Sequence, residues 1–239
     1  MSIFIRLMLG VLLAVVAGIP LNFAGNEGRA HAACDDVAGP GVDWAECRKR
    51  NLIMSGQDFT DANLSRVDFS SSDLRQTILD GADFSKANLV RSSFKGARGK
   101  GVNFSNIVAS RTDFSAADFS GSDFSKAETT RVDFTGTNLS KADLSKSELA
   151  RAVFTEADVT GVSFSNANLA RADFRGVRFS EPPSFENAYL SRTRLEGVDL
   201  SMVTDLAPWQ IMLACGDETT VLPEGMMPSE FWPCEEEDD

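Results

Sequence analysis

Histidine is almost missing from this sequence. The only one is His31, close to the amino-terminal end of 239 residues. A chain whose body lacks histidine cannot build the Ser–His or Cys–His pairs of nucleophilic catalysis, and it lacks the commonest zinc ligand. Cysteine is missing from a long interior: Cys34 and Cys47 stand near one end, Cys215 and Cys234 near the other. Basic residues are missing from 201–239, where ten carboxylates stand unopposed, five of them in EEEDD at 235–239. Residues 51–200 are close to neutral, with 18 Lys and Arg against 20 Asp and Glu. Carboxylates are common there, but nothing marks the enclosed cleft that a paired-carboxylate hydrolase needs. No enzyme, cofactor or metal is expected.

A long apolar run is also lacking. The longest, LMLGVLLAVVAGIPL at 7–21, falls short of the roughly 20 residues of a membrane span. It follows Arg6 and precedes Ala30-His31-Ala32, a small-x-small pattern. Residues 1–32 thus have the layout of a secretory signal cleaved after Ala32. Contact with a membrane is expected only through this leader, if it is left uncleaved. Lipidation at Cys34 is the weaker reading, because His31 stands where such signals carry an aliphatic residue. The expected location is the periplasm, the extracellular space or another oxidising lumen, where disulfides persist.

What the sequence has in quantity is a period of five. Stepping from Phe59 to Phe179 meets 25 centres, of which 13 are Phe and eight are Leu; Gly99, Ala109, Thr129 and Val159 are the exceptions. Two residues before each centre stands a small or β-branched residue, with Gln57 as the one departure. The residue just before the centre is usually Asp or Asn. Five fits neither an α-helix, where the apolar set would wind around the axis, nor a flat strand, where successive centres would change face. It fits a coil that turns a corner every five residues, with the small residue and the centre inward and the other three outward. The segment EPPS at 181–184 inserts one residue, and the frame resumes at Phe185, Leu190, Leu195 and Leu200. Gly99, Ala109 and Thr129 predict slack or a bulge in the middle.

Units such as DANLS (61–65), GADFS (81–85), KANLV (86–90) and KADLS (141–145) resemble the A(D/N)LXX unit of the pentapeptide-repeat family. The segments GPGVDWAEC and LACGDETTVLPEG resemble caps of its exported bacterial members. The resemblance implies an all-β fold: a right-handed quadrilateral β-helix with four units per coil. On that basis the expected organisation is a signal peptide (1–32), a disulfide cap (33–53), the repeat β-helix (54–203), a helix and disulfide cap (204–234) and a disordered acidic tail (235–239). The rod would be about 35 Å long at about 4.8 Å per coil. Cysteines at opposite ends would then be too far apart to bridge, leaving Cys34–Cys47 and Cys215–Cys234. Pro208 is expected to open a short helix that Gly216 ends. Trp44, Trp209 and Trp232 are expected to pack into the caps.

Four units per coil also stack residues 20 apart. One outward column then reads Arg91, Arg111, Arg131, Arg151, Arg171 and, past the insertion, Arg192. Two neighbouring unit charges about 4.8 Å apart cost some 3–4 kcal/mol at an effective dielectric near 20. One expectation is internal neutralisation by Asp113, Asp133, Asp173, Glu128 and Glu148. The other is an edge that binds an extended anion. The functional expectation is an exported scaffold that binds a protein or envelope component through its faces. The alternative is a binder of acidic polysaccharide or lipopolysaccharide. A third reading comes from the family, some of whose cytoplasmic members mimic duplex DNA and bind DNA gyrase. The leader and the sign of the edge count against it, and no nucleic-acid partner is expected. Oligomeric state is left open.

Overall fold

The computed structural model describes residues 34–230 and 232–234. The leader at 1–32 and the tail at 235–239 lie outside the described residues.

The chain is a right-handed β-helix of square section. Each wall holds one parallel bridge, always at the residue before a centre: Asp58 pairs with Ile78, Asn63 with Asp83, Asp68 with Asn88 and Asp73 with Ser93, each 20 residues on. The interval widens to 21 after the EPPS insertion, as in Ser163 with Ser184 and Asp173 with Arg194. The insertion is absorbed in one corner and the columns continue. The bridge pattern begins at Asp43, earlier than the start at Met54 read from the sequence. The cap region therefore already contains solenoid. Trp44 serves as a core centre and is buried, while Cys47 fills a small inward position and bonds to Cys34, with Cα atoms 5.5 Å apart. At the other end Cys215 bridges to Arg194 and bonds to Cys234, with Cα atoms 5.4 Å apart.

Every regular corner contains a residue with positive φ, two after the centre. At 61, 66, 71 and 76 these are Asp, Arg, Ser and Gln, with φ between 56° and 58°. Most corners are closed by a bond such as Ala62 N–H to the Phe59 carbonyl, 3.0 Å. One positive φ at the third residue is the sign pattern of a type II turn. Glycine supplies it without steric cost at Gly81, Gly101, Gly121 and Gly161 and at Gly96, Gly136 and Gly176. The other corners place ordinary side chains in the same conformation.

The preference for Asp or Asn before the centre has a local cause. The N–H after the centre faces out of the coil, and the side-chain oxygen accepts it: Thr60 N–H to Asp58 Oδ1, 2.9 Å, and Ser115 N–H to Asp113 Oδ1, 2.9 Å.

Inside, rings from two facing walls interleave. Phe94, Phe114, Phe134, Phe154 and Phe174 stack one coil apart, with centroids 4.7–5.3 Å from each other. The slack expected around Gly99 does not occur. A β-carbon there would come within 2.5 Å of Val102 Cγ2 and 2.8 Å of Leu79 Cβ. Bridging runs on unbroken through Arg98 and Val108. Phe104 and Phe119, 5.1 Å apart, fill the space that the small centres leave.

The one helix among the described residues, α1 (Pro208–Leu213), stops at a C-cap on Ala214, two residues before the Gly216 read as its end. It closes the open coil mainly through Gln210, which is fully buried. The Gln210 side chain accepts from Ala207 N–H (2.7 Å) and donates to the carbonyls of Phe185 (2.8 Å) and Ala188 (2.9 Å). Trp232 donates from Nε1 to the Ala214 carbonyl, 2.7 Å. Trp209 does not pack into the cap as expected: it is 45% exposed, beside exposed Met212 and Leu213. Among the described residues, no helix is long and apolar enough to cross a membrane.

Candidate anion-binding edge

The arginine column occupies one corner from Arg91 to Arg192. All six residues sit at left-handed φ, 55–59°. Their backbones are fixed by coil-to-coil bonds, from Arg131 N–H to the Ala150 carbonyl (2.9 Å) and from Arg171 N–H to the Ser191 carbonyl (2.8 Å), for example. For an unbranched residue this conformation costs on the order of 1 kcal/mol relative to glycine. The residue before each arginine is small or short (Val90, Ser110, Thr130, Ala150, Ala170, Ser191), so the corner is recessed on that side.

Two recesses run along the column. Arg91, Arg111 and Arg131 line one of about 320 Å³ with Val90, Ser110 and Thr130. Arg131, Arg151, Arg171 and Arg192 line a larger one of about 1050 Å³, which extends to the C-terminal cap at Met212, Trp232 and Cys234. The six arginines predicted from the 20-residue spacing are thus brought together, with Arg131 shared. The sequence did not show that the C-terminal cap borders the same recess.

Four of the five carboxylates expected to interleave with the column, Asp113, Asp133, Asp173 and Glu148, accept hydrogen bonds from other groups. Asp113 and Asp133 accept the N–H of Ser115 and Thr135 through Oδ1. Asp173 accepts Arg175 N–H and pairs with the Arg175 side chain, Nη2 to Oδ2 2.6 Å. Glu148 accepts from Asn168 Nδ2, 2.8 Å. Among the described residues, no ion pair joins Arg91, Arg111 or Arg131 to a carboxylate.

Burial works to raise the Asp173 carboxyl. The hydrogen bonds from the Arg175 side chain and backbone, with the charges of Arg175 and Arg194, outweigh it and hold the group below the ordinary range. A depressed carboxylate contributes stability above its unfolded value near 4, and that stability is lost as pH falls below it. Asp173→Asn is expected to lower stability by roughly 1 kcal/mol at pH 7 and to flatten the fall in Tm between pH 5 and 2. A parallel acid limb in thermal scans of the two proteins would refute this.

The family model for pentapeptide repeats (8 copies) matches residues 50–76, 77–115 and 100–128, and that for the pentapeptide repeat region matches 127–204. The chain is a pentapeptide-repeat protein. Among solved structures, this pentapeptide-repeat chain is similar to a trypsin-treated variant of QnrB1, a plasmid-mediated fluoroquinolone resistance protein. Identity is 19%, coverage is 76% of this chain and 89% of that one, and the TM-score is 0.54. HetL, from the cyanobacterium Nostoc sp. strain PCC 7120 and involved in heterocyst differentiation regulation, is 19% identical over 77% and 86% of the two chains, TM-score 0.30. A pentapeptide-repeat protein of the Arabidopsis thaliana thylakoid lumen is 32% identical over 51% of this chain and 70% of that one, TM-score 0.20. The search of curated proteins returned no match. The two cysteine pairs of this pentapeptide-repeat protein fit an oxidising compartment.

Proposed function

We propose that this pentapeptide-repeat protein is an exported, non-enzymatic binding scaffold whose arginine edge takes an extended anionic partner, an acidic protein segment or envelope polymer. The observation that carries the reading is the column itself: six guanidinium groups along one recessed corner, at a backbone conformation that favours glycine. Guanidinium suits carboxylate and phosphate geometry, and a row of such groups attracts a line of charge. The leader pattern and the cysteine pairs support export. Similarity to QnrB1 is one of fold, and an edge of this sign does not favour a DNA-mimic role.

Asparagine gives a clean test, because Asn106, Asn166 and Asn187 already hold the same φ at another corner. The triple variant Arg131→Asn, Arg151→Asn, Arg171→Asn is expected to keep its Tm within a few degrees. It should bind labelled polyglutamate at least about tenfold more weakly, with a smaller dependence on salt. The matched variant Lys86→Asn, Lys126→Asn, Lys146→Asn removes equal charge from the neighbouring corner and should lose much less. Equal losses in the two would sink the edge as a site. Fractionation of the host cell tests export directly, and residence of the mature chain in the cytoplasm would overturn that part.

A further inference from the structure

The four corners of the coil are unequal. Between residues 41 and 197, ten glycines hold a left-handed φ, and all ten lie on two corners. Gly41, Gly81, Gly101, Gly121 and Gly161 share one; Gly56, Gly96, Gly136, Gly176 and Gly197 share the other. These two corners bound a single wall, whose bridges run through Ile78, Arg98, Asp118, Asn138, Asp158 and Arg178. The turn does not demand this placement, since the other two corners hold Arg, Lys and Asn at the same φ. Nor does lack of room: a β-carbon at Gly101, Gly121 or Gly136 would meet nothing within 4 Å. Bare corners let another flat surface come down onto the wall between them. The wall is also charged in blocks. Arg98 and Lys100 stand exposed in one row, and Asp158, with exposed Glu156 beside it, stands three rows on. Among the described residues, no ion pair engages Arg98, Lys100 or Arg178.

We infer that two copies of this chain pair through this wall, antiparallel, about a two-fold axis that crosses it between Asp118 and Asn138. Arg98 of each copy then faces Asp158 of the other, with Glu156 alongside, so the contact is made twice. Asp118 faces Asn138. Within the chain Asn138 Nδ2 donates to Asp118 Oδ1 (2.9 Å), which leaves its second N–H for the Asp118 of the other copy. A parallel pair would set every row on itself, Arg98 on Arg98 and Asp158 on Asp158. Like charges held face to face are strongly disfavoured, so charge selects the antiparallel arrangement. The rods meet from the row of Ile78 to the row of Arg178, about 24 Å at about 4.8 Å per coil. The arginine edge bounds the opposite wall. Pairing therefore leaves it open and gives the assembly two such edges, one on each outer side. The pairing does not depend on what the edge binds.

Sedimentation velocity on the mature chain and three variants tests this. At about 100 μM the unaltered chain should run as a dimer at low salt and dissociate in about 1 M salt. Arg98→Glu with Lys100→Glu sets like charges across the wall, and so does Glu156→Lys with Asp158→Arg. Each pair of changes should weaken dimerisation at least about a hundredfold. An equimolar mixture of the two variants should pair again, because their reversed charges are complementary at both contacts. Both variants are compatible with the fold: Lys141 holds a corner at φ 61°, and Arg98 and Arg178 already occupy the wall position of Asp158. A third variant, Gly121→Gln with Gly136→Gln, changes no charge, and Gln76 already holds this conformation at φ 58°. Its side chains should prop the walls apart and weaken dimerisation at least about tenfold. A monomeric unaltered chain at low salt would overturn the inference. So would charge variants that pair as tightly as the unaltered chain, or a mixture that stays monomeric. Unchanged pairing in the glutamine variant would place the contact on another face and overturn it equally.

Discussion

Phe104→Ala is expected to destabilise the protein by about 4 kcal/mol, the upper part of the range for removing a buried ring. Phe104 is fully buried and touches rings in three coils. It stacks on Phe84 at 5.2 Å and on Phe124 at 4.6 Å, and meets Phe94, Phe114 and Phe119 edge to face. It also lies in the coil where Gly99 and Ala109 supply almost no side chain, so no neighbour can close the cavity without breaking another stack. Phe185→Ala, near the C-terminal end with rings on one side only, is the comparison and should cost less. Urea unfolding of both variants checks the order. A smaller loss at Phe104 than at Phe185 would mean that the middle coils relax more readily than their packing indicates. Because each coil mainly contacts its neighbours, the Phe104 variant should also broaden the transition into two steps.

Gln210→Leu is expected to cost about 3 kcal/mol, although leucine is apolar and similar in size. The substitution leaves the buried Ala188 carbonyl and the half-buried Ala207 N–H without partners, each at roughly 1–3 kcal/mol before relaxation, while the Phe185 carbonyl keeps only the Ala188 N–H, 2.9 Å. The loss should be local. Hydrogen exchange should quicken in α1 and the coil holding Phe185, while amides near Phe104 keep their protection. Uniform loss of protection along the rod would show that the cap and the solenoid unfold as one unit.

Much of this arrangement is written in the period. Centres five apart, a small residue two before each and the one-residue slip at EPPS set a coil that turns a corner every five residues, while the four units per coil, and with them the columns and the arginine edge, came from the resemblance to pentapeptide repeats. Other parts were hidden for physical reasons. The left-handed corner is shared by Gly, Arg, Lys, Asn, Asp, Glu, Gln, Ser and Ala, so no single residue type announces it. Glycines mark two corners, while the arginine corner adopts the same φ. Trp44 and Cys47 stand for Phe and Ala in the first coil, which disguised the start of the solenoid. The missing volume at Gly99 is supplied by rings on other walls, and a one-dimensional count of small centres cannot see that. Asp113 and Asp133 have the spacing for pairing with arginine, yet the nearer N–H two residues ahead takes Oδ1 of each.

The coil repeat has a further consequence for recognition. It acts as a ruler whose marks are fixed by backbone bonding at about 4.8 Å, whereas an extended peptide presents carboxylates on one side about every 6.7 Å. The two scales come into step only about every third arginine. Such a mismatch works as a vernier: a polyanion can slide along the edge with little change in energy, and no particular register is preferred. Selection would then act on density and length of charge rather than on order of residues, and a partner could move along the corner by creeping rather than by leaving it at once.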